Sequence, residues 1–482
     1  MYVLAAFVLI AVVLTTALAS RFSLPLIFIA LGVGIVFGSD VTGLIWFDDT
    51  HLANELANGA LMFILFTGGF GTTRENFRLV FIPAMSLATV GVLITAAVTA
   101  VLVWLLVGVS PMYALLIGAI VSSTDAAAVF SIFRSRSLHK KVSATTEIES
   151  AANDPMAIIL TTLLVTVATQ GSHPGSWWQA VLDFVWQLVG GVGIGIGAGW
   201  VGVRLFRLLK HADRGYFYVL LIGTVFLSFG LSDLVHASGM LAVFFTGLVL
   251  GNARIPFRHG LDTFLEALST IANVGLFVLL GLLVFPHEFA RIWLPGVIVF
   301  GVLTFVARPL AVWVATLGTG FKNKEKLFLS WAGVRGAVPI VLATYPAAAG
   351  VEGGRDLFNI VFFAVALSVM IQGTTIGKLA DLLGLSRKSK PRPRQAMELV
   401  TFQESELELC ELPAEGAAGA KARISELALP KGATITMINR NEEIIAPRGS
   451  TEIEPGDVLY VLTRSDDRDA VARAIARALA QA

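Results

Sequence analysis

The sequence predicts an α-helical polytopic membrane protein of about thirteen transmembrane helices, with inverted repeats expected from the resemblance described below, followed by a small cytosolic α+β module. Three observations carry the membrane assignment: a charge-poor composition, apolar runs that stop near residue 385, and basic loops in every second gap between those runs. Only 14% of the 482 residues are charged, 56% are hydrophobic, and the mean hydropathy is +0.78. A water-soluble chain carries roughly a quarter charged residues, so water is not the main solvent here. A formal net charge of +1 argues against nucleic acid as a partner. The single cysteine, Cys410, excludes a disulfide framework and a thiolate metal cluster.

A span takes roughly 20 apolar residues. Runs of that kind fall near 2–19, 24–38, 53–70, 80–108, 112–133, 142–169, 178–209, 216–232, 236–252, 263–284, 293–317, 326–347 and 357–379, and the 216–252 region admits a different cut. Residues 2–19 end in Ala17-Leu18-Ala19, which imitates a signal-peptidase site. A signal peptide needs a basic start, whereas the first positive charge is Arg21. The run is therefore read as a retained first span. One set of alternate loops holds Arg74 and Arg78, then Arg134, Arg136, Lys140 and Lys141, and continues in this way to Lys378 and Arg387. The opposite set holds only Arg291 and Arg355 beside acids such as Asp40, Asp48 and Asp49. Positive charge collects on the cytoplasmic side, so the N-terminus is expected outside and the tail inside, which needs an odd number of spans.

Three regions follow: a transmembrane domain over 1–385, a basic proline-containing linker over 386–397, and a soluble module over 398–482. In the module, Leu407–Leu412, Thr434–Asn439, Ile444–Pro447 and Val458–Thr463 alternate like strands. Arg440-Asn441 and Glu454-Pro455-Gly456-Asp457 read as turns, and 420–427 and 467–480 as helices. Its acids, Glu442, Glu443 and Asp457, are expected in solvated segments.

Ionisable groups at mid-membrane cost a few kcal/mol, so each is a functional candidate. The fifth run carries Thr124-Asp125; the sixth carries Glu147, Glu149, Ser150, Asn153, Asp154 and Pro155; the eleventh carries Arg308-Pro309; the twelfth carries Gly333-Val-Arg335-Gly336. On a helix, Glu147, Ser150 and Asp154 share a face, with Glu149 and Asn153 on the adjacent stripe. Carboxylate, hydroxyl and amide oxygens form a hard site for an alkali cation, and the same carboxylate takes a proton instead. Asn153-Asp154-Pro155 also fits a helix start, and Asp125 fits a half-helix cap; both readings stand beside the ion site. Arg308 fits an ion-pair partner for Glu149 or Glu147. Glycine and proline interruptions in the fifth and twelfth runs suggest broken helices beside a cavity.

These residues resemble the bacterial cation:proton antiporters of the NhaP and CvrA type, relatives of the sodium/proton exchangers. The resemblance rests on Thr124-Asp125-Ala-Ala-Ala-Val, Glu149-Ser150 with Asn153-Asp154-Pro155, Gly247-Leu-Val-Leu-Gly-Asn252, Arg308-Pro309 and Gly333-Val-Arg335-Gly336-Ala-Val-Pro339. The tail is similar to RCK or TrkA-C regulatory modules. The resemblance implies two inverted repeats, broken and crossing fifth and twelfth spans, and a homodimer in a bacterial inner membrane. It implies that Asp154 carries the exchanged ion, with Thr124 and Ser150 as oxygen ligands, Asn153 in support, and Asp125 beside them. It further implies a Glu149–Arg308 pair, cavity-lining roles for Thr67 and Arg335, and one cation per proton because Asn153 replaces a second acid. Where relatives often place an acid in the third span, this chain has Phe66-Thr67-Gly68-Gly69.

The expected activity is exchange of cytosolic K⁺, or alternatively Na⁺, for external H⁺. No cofactor is expected, and a nucleotide or an ion is the candidate ligand of the module. A module-gated channel is a weaker reading, because no Thr-Val-Gly-Tyr-Gly filter occurs. A symporter for an organic solute has no residue that names a solute. An enzyme is disfavoured, since the seven histidines are scattered and no nucleophile–base group is visible.

Overall fold

The computed structural model describes residues 2–19, 26–47, 49–125, 129, 136–170, 176–209, 213–388, 407–414, 420–440, 443–464 and 467–481. The chain divides into two compact units, Met1–Lys388 and Ser389–Ala482.

The first unit is helical, and each expected run meets a helical segment. α1 (Tyr2–Ala19), α2 (Leu26–Phe37) and α3 (Thr50–Gly71) open the chain. The fourth run is α4 (Arg74–Ser86), a π-helical turn (Leu87–Gly91) and α5 (Val92–Val107), kinked at Val80, three residues before Pro83. α6 (Pro111–Ile120) is followed by non-helical backbone through Asp125 and a short strand, β1 (Arg136–Leu138). The expected fifth span over 112–133 is thus interrupted after Ile120, and 126–128 and 130–135 lie outside the described residues. α7 (Lys140–Gln170), α8 (Ser176–Leu208), α9 (Arg214–Leu234), α10 (Gly239–Gly251) and α11 (Arg258–Leu282) come next. The cut within 216–252 falls at His236, which adopts φ 55°. Ser238 accepts there from the Leu241 N–H at 3.3 Å and caps α10.

The eleventh run is α12 (Phe289–Val302), a second π-helical turn (Leu303–Ala307) and α13 (Arg308–Ala315). The twelfth is α14 (Asn323–Trp331) and α15 (Ala337–Ala348), broken between them, and α16 (Gly354–Leu382) completes the set before β2 (Ser386–Lys388). The order π turn, broken helix, continuous helix therefore occurs twice, over 74–170 and over 289–382. Among the described residues seven helical stretches are long and apolar enough to cross a membrane, with shorter apolar helices such as Pro111–Ile120, Gly239–Gly251 and Ala337–Ala348 beside them.

Glycines set the closest approaches. A Cβ on Gly69 would lie 2.1 Å from the Phe244 carbonyl oxygen, one on Gly247 2.3 Å from that of Phe66, and one on Gly251 2.0 Å from that of Phe70. Glycine thus lets the α3 and α10 backbones touch, as small residues do between membrane helices. Asn252 then closes the α3–α4 turn, accepting from the Arg74 N–H at 2.6 Å and donating to the Thr72 carbonyl at 2.8 Å. The Gly247–Asn252 motif is therefore a packing and capping device.

The second unit holds a four-stranded antiparallel sheet in the order β3 (Leu407–Pro413), β8 (Val458–Arg464), β5 (Thr434–Arg440), β6 (Glu443–Ile445). A two-stranded sheet, β4 (Ala422–Arg423) with β7 (Glu452–Ile453), and α17 (Arg468–Gln481) accompany it. The expected helix over 420–427 is instead β4 and a 3₁₀ turn, Ile424–Glu426. Pairing with β7 and burial of Ala422 and Ile453 override the helical propensity of that stretch. Asp457 is not solvated: it is 1% exposed. Its carboxylate is saturated by Arg440 Nε and Nη2, each at 2.8 Å, and by the Glu454 N–H at 2.8 Å, so burial leaves no oxygen without a donor. Glu443 is exposed as expected, while Asn441 and Glu442 lie outside the described residues.

Candidate functional site

α6 ends at Ile120 and leaves its last carbonyls without helical partners. Arg335, 1% exposed, reaches into that end from the break between α14 and α15. Its Nη1 donates to the Ser122 carbonyl at 2.9 Å and also to the Ser123 carbonyl. A cation thus caps a helix C-terminus, where the macrodipole is negative. The reciprocal arrangement occurs at α15. Gly336 precedes its first turn, and a Cβ there would fall 1.7 Å from Asp125 Oδ2. The Asp125 carboxylate therefore lies against a helix N-terminus, where negative charge is favoured. Between the two ends the backbones cross directly, the Asp125 N–H donating to the Val334 carbonyl at 2.8 Å.

The second layer comes from α16. Ser368 Oγ accepts from the Arg335 N–H at 3.0 Å and donates to Gln372 Oε1, and Gln372 Nε2 donates to the Trp331 carbonyl at 3.1 Å. Ser368 and Gln372 thereby cap the broken end of α14. Sequence reasoning missed both; a Ser and a Gln four apart in an apolar run are the available signal. Ser122 and Ser123 were missed as well, because they act here through backbone oxygens.

α7 supplies the carboxylate. It runs unbroken through Pro155, so Asn153-Asp154-Pro155 is no helix start, and Asp154 stands in the body of the helix. Asn153 is fully buried; its Nδ2 donates to Thr124 Oγ1 at 2.7 Å and its Oδ1 accepts the Thr124 N–H at 3.3 Å. Ser150 Oγ donates to the Thr124 carbonyl at 2.7 Å. Two α7 side chains therefore hold Thr124 in its non-helical stretch, where helical bonds are missing. Asp154 differs: among the described residues its buried Oδ1 has no hydrogen-bond partner, and Ser123, Asp125 and Arg335 are its electrostatic neighbours. Glu147 is half-buried and enters none of these bonds.

Glu149 turns away toward α13. Arg308 Nη1 donates to Glu149 Oε1 at 2.5 Å, with the side chains 5% and 1% exposed, and Nη2 donates to the Leu329 carbonyl at 3.2 Å. Gly333 gives the guanidinium room, since a Cβ would lie 2.6 Å from Arg308 Nε. The pair joins a helix of the first half to one of the second. Thr67 stands apart: its hydroxyl donates to the Phe63 carbonyl of its own helix at 2.7 Å.

A helix interrupted after Ile120 meets one broken between Trp331 and Ala337, with a buried carboxylate beside the crossing, an arrangement that fits a multi-pass membrane protein of the cation/proton antiporter class. The chain belongs to the sodium/hydrogen exchanger family, whose transmembrane model matches residues 8–381; a TrkA-C domain matches 416–476. It is 38% identical over 472 residues to the K⁺/H⁺ antiporter NhaP2 of Shewanella oneidensis, covering 97% of this chain and 81% of that protein. The K⁺/H⁺ antiporter NhaP of Alkalimonas amylolytica is 34% identical over 470 residues, again covering 97% and 81%. The solved sodium proton antiporter MjNhaP1 of Methanocaldococcus jannaschii superposes with a TM-score of 0.68 at 25% identity, covering 80% of this chain and 99% of that one.

Proposed function

We propose that this protein exchanges cytosolic K⁺ for external H⁺ by alternating access, one for one, with Asp154 as the shared site. The observation that carries the reading is the buried Asp154 Oδ1, which among the described residues accepts from no donor, on the helix whose Ser150 and Asn153 hold Thr124. A buried carboxylate with one oxygen unpaired has two ways to be neutralised, a proton or an alkali cation. Occupation by one excludes the other, which is the competition that exchange requires. Ser150 and Thr124 supply neutral oxygens for the cation, Asn153 holds them in place, and Asp125 and Arg335 balance the two broken helix ends around it. The Glu149–Arg308 pair keeps the halves in register, and Arg335 lines the approach; Thr67, bonded within its own helix, is left out of it.

Potassium is favoured over sodium by the names of the two relatives that match along nearly the whole chain. The positive-inside pattern supports a bacterial inner-membrane protein with its N-terminus outside, and the family resemblance supports a homodimer. The C-terminal module is read as a cytosolic sensor for a nucleotide or the cytosolic cation. The deciding measurement is cation-dependent proton flux in proteoliposomes, comparing K⁺, Na⁺ and Li⁺. Wild type should exchange with K⁺ and Asp154→Asn should not, although the variant inserts normally. Flux retained by Asp154→Asn removes the assignment.

A further inference from the structure

The two shortest strands of the first unit tie the start of one helix to the end of another. β1 and β2 pair antiparallel, with Arg136 opposite Lys388, Ser137 opposite Arg387 and Leu138 opposite Ser386. The His139 N–H donates to the Leu385 carbonyl at 3.0 Å and continues the ladder into both helices. β1 leads directly into α7 at Lys140. Ser150, Asn153 and Asp154 follow about 15–20 Å along that helix. β2 leads directly out of the membrane unit, whose last residue is Lys388. The backbone on which the C-terminal module hangs is thus hydrogen-bonded to the base of the helix that carries the ion site.

The base of α7 is held from other sides as well. Lys140 Nζ pairs with Glu75 of α4 at 2.6 Å. Lys141 Nζ donates to the Thr319 and Gly320 carbonyls after α13, each at 3.2 Å. Those grips keep α7 seated on the helices around it. β2 is the one contact among these that belongs to the chain segment entering the module. A two-stranded ribbon this short is marginal by itself, and ladder bonds of that kind open at low cost. Such an element responds to a modest bias from either end.

We propose that the β1–β2 clasp is the linkage through which the C-terminal module sets the position of α7 and hence the cation affinity at Asp154. The proposal rests on the reading of that module as a regulator. A ligand that binds one shape of the module better than another shifts the clasp, and α7, a continuous helix, carries the shift to Ser150 and Asp154. By linkage, a cation at Asp154 alters ligand affinity at the module by the same factor.

The test uses the full chain in proteoliposomes and reads the half-saturating K⁺ concentration at fixed pH. Truncation after Lys388 keeps both strands and should shift that concentration by about fivefold or more, the usual scale of coupling between sites. Arg387→Pro, which removes a backbone donor from the middle of β2, should reproduce the shift with the module present. A flexible Gly/Ser insertion of about ten residues after Lys388 should reproduce it too, because the clasp stays intact while its connection to the module slackens. Combining the insertion with truncation should add nothing. In a Cys410→Ser background, S137C/R387C should crosslink on mild oxidation and keep the wild-type value. The proposal is overturned if truncation has no effect, if the insertion leaves the wild-type value while truncation shifts it, or if the cysteine pair fails to crosslink. Absence of K⁺-dependent flux in wild type would instead sink the antiporter reading, while the crosslinking result would still stand.

Discussion

Neutralising Glu149 should cost more stability than any surface substitution, and the structure sets the scale. The Arg308 guanidinium is left with one bond, to the Leu329 carbonyl at 3.2 Å, once its partner 2.5 Å away is gone. Arg308 Nε has no partner among the described residues, so nothing nearby replaces the lost carboxylate. Both side chains are 5% exposed or less, and water does not compensate. Breaking a buried pair by removing one member costs about 3–5 kcal/mol, and the desolvated charge left behind accounts for most of it. Glu149→Gln and Arg308→Gln should each therefore lower the unfolding midpoint in detergent by roughly 3–10 °C, taking about 1–2 °C per kcal/mol for a unit this long. The double variant removes both charges and should lose less than the sum, with a coupling of about 1–3 kcal/mol. Thermal unfolding followed by tryptophan fluorescence for the four proteins of the cycle measures it. Losses that simply add would refute an energetic pair.

Two further outcomes follow from particular contacts. Gly336→Ala places a methyl group where Asp125 Oδ2 stands, 1.7 Å away, so the crossing must shift, at an overpacking cost of about 1–3 kcal/mol. K⁺-dependent proton flux should fall about fivefold or more by the same arithmetic, whereas Gly193→Ala, with nothing within 4 Å, should leave it unchanged; equal flux in the two variants would refute the close approach. Asp40, between α2 and α3, accepts the His287 backbone N–H at 2.8 Å, and that bond foremost, with the His287 ring contact, holds its carboxyl below the ordinary carboxylate range. A depressed folded value means the tie is fully present above the unfolded carboxylate range and is lost as pH falls through the folded value. Protection of the His287 amide against hydrogen exchange should persist at neutral pH, drop at strongly acid pH, and be absent at both in Asp40→Ala, which has no acceptor; protection retained in that variant would show that the amide is held by something else.

The correspondence between sequence and structure follows the range of each interaction. Asp125, Asp154, Arg308 and Arg335 could all be named from their cost in lipid, because a charge in an apolar run is visible locally. What each one touches is not local. Glu149 and Arg308 are 159 positions apart; the residues leave Arg308 a choice of Glu149 or Glu147, the resemblance points to Glu149, and the structure shows that pair. Asn153-Asp154-Pro155 matched a helix start as well as an ion site, and only the unbroken α7 decides, because packing on both sides carries the helix through its proline. Ser368 and Gln372 look like ordinary polar residues until the break after α14 supplies the Arg335 N–H for one and the Trp331 carbonyl for the other.

The module shows the same division. Its strands were legible in period-2 alternation, yet 420–427 reads as helix from composition and becomes strand and 3₁₀ turn because β7 offers a partner. Asp457 sits in a turn sequence that suggests solvent, and Arg440 draws it into the interior by satisfying both oxygens. The sequence by itself determined the apolar solvent and the helical runs, and it marked the residues whose charge is costly in lipid. All of these follow from hydrophobicity and charge read along the chain. The tertiary structure alone decided which broken ends meet, that Arg335 caps one while Asp125 lies against the other, and that β1 and β2 tie the end of α16 to the start of α7. Those contacts depend on backbone carbonyls and amides, which every residue carries and which therefore leave no mark in a sequence.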